Sequence, residues 1–265
     1  MPTIESRDIC FENCVFDAEV EFDGISNVAF QDCFFLKQVS IETIKDGCLI
    51  DLQHCIFKSG LYISKCEIER LSVDYCNIAL SMNITRCRIE NKTAIRNLHV
   101  GLYCHIEDSE FGGHGVFLSD MEIKDEMEIC GCRFDTAANI SLCRMGRLEV
   151  DRSRFDSLQM DSIFANAYLE YEKLSNKDEC DGTGYHTGMS ESLEEESGED
   201  DELTDRERKF DCAIGRAFDW HDGSVIMFKE SFFNGTVEIR KAVVSLLAIW
   251  RCRALDDFFI LDECI

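Results

Sequence analysis

The sequence predicts an all-β protein whose chain winds into a parallel β-solenoid, and two observations lead to this fold class. The first is a five-residue spacing of apolar residues in LYISKCEIERLSVDYCNI, residues 61–78. The second is a short signature of small and apolar residues that returns about once every 20 residues. Repeats of this length are typical of proteins that stack one structural unit on the next.

The apolar residues of 61–78 fit neither a helix nor a straight strand. They fall in pairs, and each pair begins five residues after the last: Leu61 and Ile63, Cys66 and Ile68, Leu71 and Val73, Cys76 and Ile78. A helix, at about 100° per residue, would point these side chains all round its axis. A straight strand would send alternate pairs into water. All of them turn inward if the chain bends after each pair, so that four sides make one coil and successive coils stack about 4.8 Å apart.

The recurring signature is Cys or another small residue, then any residue, then Phe or Ile. It occurs at 14–16, 33–35, 55–57, 76–78, 109–111, 132–134 and 153–155, with later echoes at 231–233 and 237–239. The steps between the seven main marks are 19 to 23 residues long, except for the step from 76 to 109. This regularity favours stacked coils over the alternative, a β-sandwich in which the spacing arises by chance.

We therefore predict that the inward residues of the coils form the structural core. They are Cys14, Phe16, Cys33, Phe35, Cys55, Phe57, Leu61, Ile63, Cys66, Ile68, Leu71, Val73, Cys76, Ile78, Cys87, Ile89, Cys132 and Phe134. The 16 cysteines are expected to be free thiols that act as small apolar side chains in a reducing compartment. No C-x-x-C pair occurs, so no metal and no cofactor is predicted from Cys10 with Cys14, Cys130 with Cys132, or Cys104 with His105.

This five-residue period resembles that of the pentapeptide-repeat proteins, which form right-handed quadrilateral β-helices. The resemblance is closest at 61–89 and looser across 9–160. The Asp or Asn that the family places between the two inward residues is present here at Asn77, whereas Tyr62, Glu67, Ser72 and Arg88 occupy other such positions. The resemblance implies a right-handed parallel β-helix, a bacterial or phage source, and a protein that binds DNA-handling enzymes, in some members by mimicking the DNA double helix.

The chain divides into three predicted segments. Residues 1–169 form β-helix coils, 170–204 form a flexible acidic loop, and 205–265 form a short helix followed by C-terminal β coils or a cap. Between 170 and 208 there are 15 acidic and 4 basic residues, too polar a composition to fold alone. The helix prediction, near 205–217, rests on TDRE at 204–207, which has the form of a capping box, and on apolar Phe210, Ile214 and Phe218.

The formal net charge of −25 excludes direct nucleic-acid binding, which needs clustered Lys and Arg. It favours a basic protein partner, attracted over a distance. Segment 58–98 carries +3, which argues against mimicry of DNA along the whole rod. A local acidic loop that docks into a basic cleft is the preferred hypothesis, and a solvated tether is the alternative. The predicted partner-binding residues are Glu194, Glu195, Glu196, Glu199, Asp200, Asp201 and Glu202.

The start of the chain, MPTIESRDIC, is polar, and the longest apolar run, AVVSLLAIW, is too short to span a membrane. We therefore expect a cytoplasmic protein. Its oligomeric state is open, and a dimer is compatible with the sequence. Cys180, in the acidic loop, is the thiol expected to be exposed to redox chemistry.

The sequence favours a macromolecular interaction protein over an enzyme. Asp219, His221 and Asp222 form the tightest group that could do acid–base work, and no nucleotide or nucleophile motif accompanies them. An enzyme would instead show clustered carboxylates with shifted pKa values near His221 or along 99–151. A self-assembling structural solenoid, the other alternative, would show an uncapped end. Deleting 178–203 should abolish partner binding only if the acidic loop binds.

Overall fold

The computed structural model describes residues 8–23, 27–44, 47–165, 225–244, 246–255 and 259–264. This part of the chain is all-β, and every strand pair in it is parallel. The strands are β1 (Asp8–Glu12), β2 (Val15–Phe16), β3 (Val20–Asp23), β4 (Asn27–Gln31), β5 (Phe34–Phe35), β6 (Val39–Glu42), β7 (Cys48–Gln53), β8 (Ile56–Phe57), β9 (Leu61–Ser64), β10 (Glu67–Asp74), β11 (Asn77–Ile78), β12 (Met82–Thr85), β13 (Arg88–Val100), β14 (Tyr103–Glu107), β15 (Glu110–Phe111), β16 (Gly115–Cys130), β17 (Arg133–Asp151), β18 (Arg154–Ala165), β19 (Val225–Lys229), β20 (Phe232–Phe233), β21 (Val237–Arg240), β22 (Leu246–Trp250), β23 (Arg253–Ala254) and β24 (Phe259–Asp262).

The strands form a parallel β-solenoid of about eight turns, as the sequence predicts. We number its four sides in chain order: the first begins with β1, the second with β2 and the third with β3, and the fourth includes β15, β20 and β23. The third side is one ladder, β3–β6–β9–β12–β14–β16–β17–β19–β22. Coil length varies, since Val20 pairs with Val39, 19 residues on, and Tyr103 pairs with Glu126, 23 residues on.

The core runs along the inside of the coils, where two side chains from each side point inward. All eight apolar residues of 61–78 are at most 3% exposed, as are the predicted inward residues Cys33, Phe35, Cys55, Phe57, Cys87, Ile89, Cys132 and Phe134. Cys14 and Phe16 are only partly buried. They belong to the first described coil, where β2 pairs with β5, so within the described residues one neighbouring coil covers them.

The irregular step from 76 to 109 has a structural explanation, because the signature belongs to two different sides. Residues 14, 33, 55 and 76 lie on the second side, where the column continues through Leu98 and Met121. Ser109 lies on the fourth side with Cys87, whose backbone N–H donates to the Ser109 hydroxyl at 3.1 Å. Treating the marks as one series was therefore wrong. Two corners of each coil have the same geometry, so the signature recurs twice per coil.

These two corners explain why the signature contains Cys or Ser. The residue before the inward small residue has left-handed backbone, as at Lys65 (φ 55°) and Arg86 (φ 53°), a conformation that costs about 1 kcal/mol outside glycine. The small side chain then donates to the carbonyl two residues earlier. Cys66 Sγ lies 3.1 Å from the Ser64 oxygen, and Ser109 Oγ lies 2.8 Å from the Glu107 oxygen. A small donor at this position stabilises the sharp bend from inside.

Stacked phenylalanines follow the same columns. On the fourth side the rings of Phe111, Phe134 and Phe155 stack at centroid distances of 4.7 and 4.4 Å. On the second side Phe35 stacks on Phe16 at 4.7 Å and on Phe57 at 4.8 Å. Parallel pairing in register places like residues above one another, so these rings tie successive coils together.

The stack continues past a long insertion. β18 ends on the second side at Ala165, and β19 begins on the third side at Val225, where it pairs with β17. Residues 166–224 are thus inserted at one corner of the coil. The predicted acidic loop, the helix predicted near 205–217 and Cys180 fall outside the described residues. β19 to β24 extend the same ladders, and the described ranges contain no helix that could cross a membrane.

Candidate functional site

A group of charged side chains projects from the third side, on three successive coils. His105, Glu128 and Glu149 are paired in register on β14, β16 and β17, and Glu126 is likewise paired with Arg147. Their chain neighbours Cys104, Ile106, Met127, Ile129, Leu148 and Val150 are at most 1% exposed in the core. Because strand side chains alternate, the charged ones share the outer surface. We call Glu107, Glu126, Glu128, Glu149 and Asp151 the third-side carboxylate cluster.

Arg147 lies at the centre of the cluster. Its Nε is 3.6 Å from Glu126 Oε1, and its Nη2 is bonded to Glu149 Oε2. On the coil before, His105 Nε2 lies 3.7 Å from Glu128 Oε2, and the His105 ring stacks on Tyr103 at 4.8 Å. The guanidinium therefore links two coils of carboxylates, while the His105–Tyr103 pair borders the cluster on a third.

Glu149 is the most perturbed carboxyl of the group. Its side chain is only 17% exposed, and burial raises its pKa, because a desolvated carboxylate is disfavoured. Arg147 lowers the pKa, whereas the neighbouring charges of Glu126, Glu128 and Asp151 raise it further. The net direction is upward, so the single guanidinium does not compensate the buried and repelled charge.

Asp151 closes the cluster at the corner of the coil. Arg152 Nε donates to Asp151 Oδ2 at 2.9 Å, and Arg152 Nη2 lies 3.0 Å from Cys130 Sγ. Burial nevertheless raises the pKa of the Cys130 thiol, with Arg152 acting against it. Within the described part of the chain, the buried Asp151 Oδ1 has no hydrogen-bond partner. This oxygen is a desolvated acceptor without a donor, beside a row of like charges, and such a group is costly to bury.

The cluster has a lower linear charge density than DNA. Five carboxylates face Arg147 and Arg152, which leaves a net charge of −3 across two inter-coil steps of about 4.8 Å each. This is roughly one net charge per 3 Å of axis, against about one per 1.7 Å in duplex DNA. The cluster is thus a local acidic patch with about half the charge density of DNA.

The structure places the residues singled out in the sequence as follows. Asp219, His221, Asp222 and the seven acidic residues between Glu194 and Glu202 lie outside the described residues. The pairs considered for metal binding do not converge: Cys104 and Cys132 point into the core, whereas His105 and Cys130 face outward, since neighbours alternate along a strand. No group of three His, Cys, Asp or Glu in the described ranges is placed to hold a metal ion.

The carboxylate cluster lies within 99–151, where the sequence predicts clustered carboxylates with shifted pKa values if the protein is an enzyme. The individual residues of the cluster are not singled out from the sequence, although a signal for them exists. Once the inward frame is known, the residue between two inward ones must face outward, and His105, Glu128 and Glu149 are such residues on consecutive coils. Their stacking on one another does not follow from the pattern of a single coil, because it depends on the length of each coil between them.

Comparisons with protein-family models, with curated proteins and with solved structures find no match to this chain. The likeness to pentapeptide repeats is thus a likeness of residue pattern, and function has to be argued from the geometry of the site.

Proposed function

We propose that this protein is an interaction scaffold, a β-solenoid that binds a basic protein partner through the third-side carboxylate cluster. The observation that carries the proposal is the raised pKa of Glu149. This residue lies in a row of carboxylates whose negative charge the Arg147 guanidinium does not neutralise. Folded proteins tolerate such electrostatic conflict mainly at functional sites. A Lys or Arg from a partner would relieve the conflict by adding positive charge beside Glu126, Glu128 and Asp151.

The resemblance to pentapeptide repeats supports a narrower version of this proposal. Some members of that family present a negative rod to enzymes that grip DNA, so the partner would be a DNA-handling protein and this chain its inhibitor or protector. The coil would then be right-handed, in keeping with the general preference of parallel crossovers. The acidic residues 194–202 would add long-range attraction. Free thiols throughout the described chain fit a reducing cytoplasm.

A fluorescent decalysine peptide tests the proposal on the full chain, by anisotropy at low and at moderate salt. The cluster variant carries Glu126→Gln, Glu128→Gln and Asp151→Asn. The matched control removes the same charge from the fourth side and its adjoining corner, with Glu67→Gln, Glu69→Gln and Glu90→Gln. We expect the cluster variant to bind about 10-fold more weakly, since each exposed ion pair contributes up to about 1 kcal/mol, and the control to lose clearly less.

Equal losses in the two variants would show that affinity follows net charge, which contradicts a site on the third side. A third variant neutralises Glu194, Glu195, Glu196 and Glu199 with Gln. If it alone abolishes binding, the acidic segment is the binding element and the cluster is not. Capture of cellular proteins by the intact chain, and not by the cluster variant, would then identify the partner.

A second candidate, acid–base catalysis at Glu149, is favoured by the same raised pKa. Carboxyl groups whose pKa values are driven apart by their surroundings can divide the roles of acid and base, as in enzymes that hydrolyse glycosidic bonds. A panel of chromogenic glycosides provides the test, with Glu149→Gln as the variant that should lose all turnover. Turnover that survives this substitution would remove Glu149 from any catalytic role.

A further inference from the structure

A shallow depression of about 260 Å³ lies on the first side, over β7, β10 and β13, two sides away from the carboxylate cluster. Its floor is a column of outward residues from three coils, Asp51, Ser72 and Ala94, paired in register. Phe117, paired with Ala94 on the next coil, bounds the floor with a large side chain. The floor is low because Ser72 and Ala94 are small, and longer side chains rise on both sides of it.

The charges around the depression are distributed over three coils. Lys92 and Arg96 lie on the coil next to Phe117, and Lys92 Nζ sits 5.6 Å from the centroid of that ring. Arg70 and Asp74 lie on the middle coil, where Asp74 is paired in register with Arg96, and Asp51 lies on the far coil. None of the three cations is ion-paired within the described chain, so their charges are open to a ligand.

The carboxylates of the depression are held in place by amides. Gln53 Nε2 donates to the two oxygens of Asp51 at 3.2 and 3.1 Å, and Asn97 Nδ2 donates to Asp74 Oδ1 at 2.8 Å. These contacts orient both carboxylates without neutralising them, because an amide carries no charge. Along the solenoid axis the depression therefore runs from Asp51 at one end to Lys92 and Arg96 at the other, with Arg70 and Asp74 on the coil between them.

We propose that this depression binds a small zwitterion whose ammonium and carboxylate groups are several carbon atoms apart. The ammonium would meet Asp51, and the carboxylate would meet Lys92 and Arg96, two coils away. The Asp51 and Ala94 rows are two coils apart, about 9.6 Å, so the ligand class is an extended ω-amino carboxylate. Arginine suits the anionic end, since its planar fork binds a carboxylate with two hydrogen bonds. This site is independent of the proposed scaffold function.

Ligand-observed NMR titration of the full chain at low salt tests the proposal with three probes. 7-Aminoheptanoate carries both charges at the required separation, heptanoate lacks the ammonium, and β-alanine carries both charges too close together. We expect 7-aminoheptanoate to bind at least about threefold more tightly than either of the others, in line with the strength of exposed ion pairs.

Substitutions at the two ends should act differently. Asp51→Asn should reduce the affinity for 7-aminoheptanoate to that for heptanoate, and Arg96→Gln should weaken both by about threefold or more. Arg88→Gln, on the fourth side, is the matched control and should change neither. Asp51→Ser serves in place of Asp51→Asn if circular dichroism shows that the latter is misfolded. Equal binding of the three probes, no saturable binding up to about 50 mM, or unchanged affinity in both end variants would overturn the proposal.

Discussion

Phe34 and Phe35 are adjacent in sequence, yet the solenoid places them on opposite faces of the second side. Phe35 is fully buried, with its ring 4.7 Å from Phe16, 4.8 Å from Phe57 and 5.0 Å from Phe30. Phe34 faces outward and is partly exposed, and Lys58 Nζ lies 5.6 Å from its centroid. Replacing each by Ala compares the same chemical change inside and outside one coil.

Phe35→Ala should lower the free energy of unfolding by about 3–5 kcal/mol, because a fully buried ring leaves a cavity. The upper part of that range applies, since three aromatic contacts worth about 0.5–1.5 kcal/mol each are lost as well. At about 2–4 °C per kcal/mol for a folded region of this size, a loss of about 4–5 kcal/mol should lower Tm by roughly 8–20 °C. Phe34→Ala should cost about 1 kcal/mol or less, as expected for a partly exposed side chain with one weak cation–π contact.

Urea unfolding followed by far-ultraviolet circular dichroism measures both values, with the slope of the transition checked to be unchanged. A loss in Phe34→Ala equal to or larger than that in Phe35→Ala would refute the reasoning. It would mean that the second side is shifted by one residue, which exchanges its inner and outer faces.

Three further predictions follow from the corners and the carboxylate cluster. Cys132→Ser should lower the free energy of unfolding in urea by less than about 1 kcal/mol, because the hydroxyl can still donate to the Cys130 carbonyl that the thiol contacts at 3.3 Å. Cys132→Val, which is bulkier at Cβ and has no donor, should lower it by about 1–3 kcal/mol. A larger loss in the Ser variant than in the Val variant would exclude the corner hydrogen bond. Burial raises the pKa of Glu149 above its ordinary value, so ionisation of this carboxyl disfavours the folded state, and Glu149→Gln should raise Tm at pH 7. The difference in Tm between the variant and the original chain should shrink as the pH falls through the pKa of folded Glu149, and vanish below the ordinary glutamate pKa. A difference in Tm that does not change with pH would contradict this. Burial raises the pKa of Cys104 to about 12. Iodoacetamide should therefore alkylate the exposed Cys10 far faster than Cys104 in the folded chain. Equal labelling of the two cysteines in a peptide map would disprove the inward position of Cys104.

Much of the fold could be predicted because inward positions are chosen by a local requirement. Each side must bury two side chains, so Leu61 and Ile63, or Cys66 and Ile68, reveal the five-residue frame without knowledge of any other coil. The sequence could not separate the second-side column from the fourth-side column, since both corners use the same small residue after a left-handed one. Nothing in the residue types marks which corner is which.

The sequence by itself determined the coil, its core and the excess of negative charge. Only the tertiary structure decided which outward residues become neighbours. Coil length varies, and the register shifts within coils, as between Ile68 and Arg70 and between Ile123 and Glu126. The corners absorb these shifts, so the inward pairs of successive coils stack again on every side, and each outward residue takes its place from the two inward residues beside it. Which outward residues become neighbours therefore depends on how many residues each coil and corner contains. The pattern within one coil does not give that number, so it does not predict the carboxylate cluster or the depression.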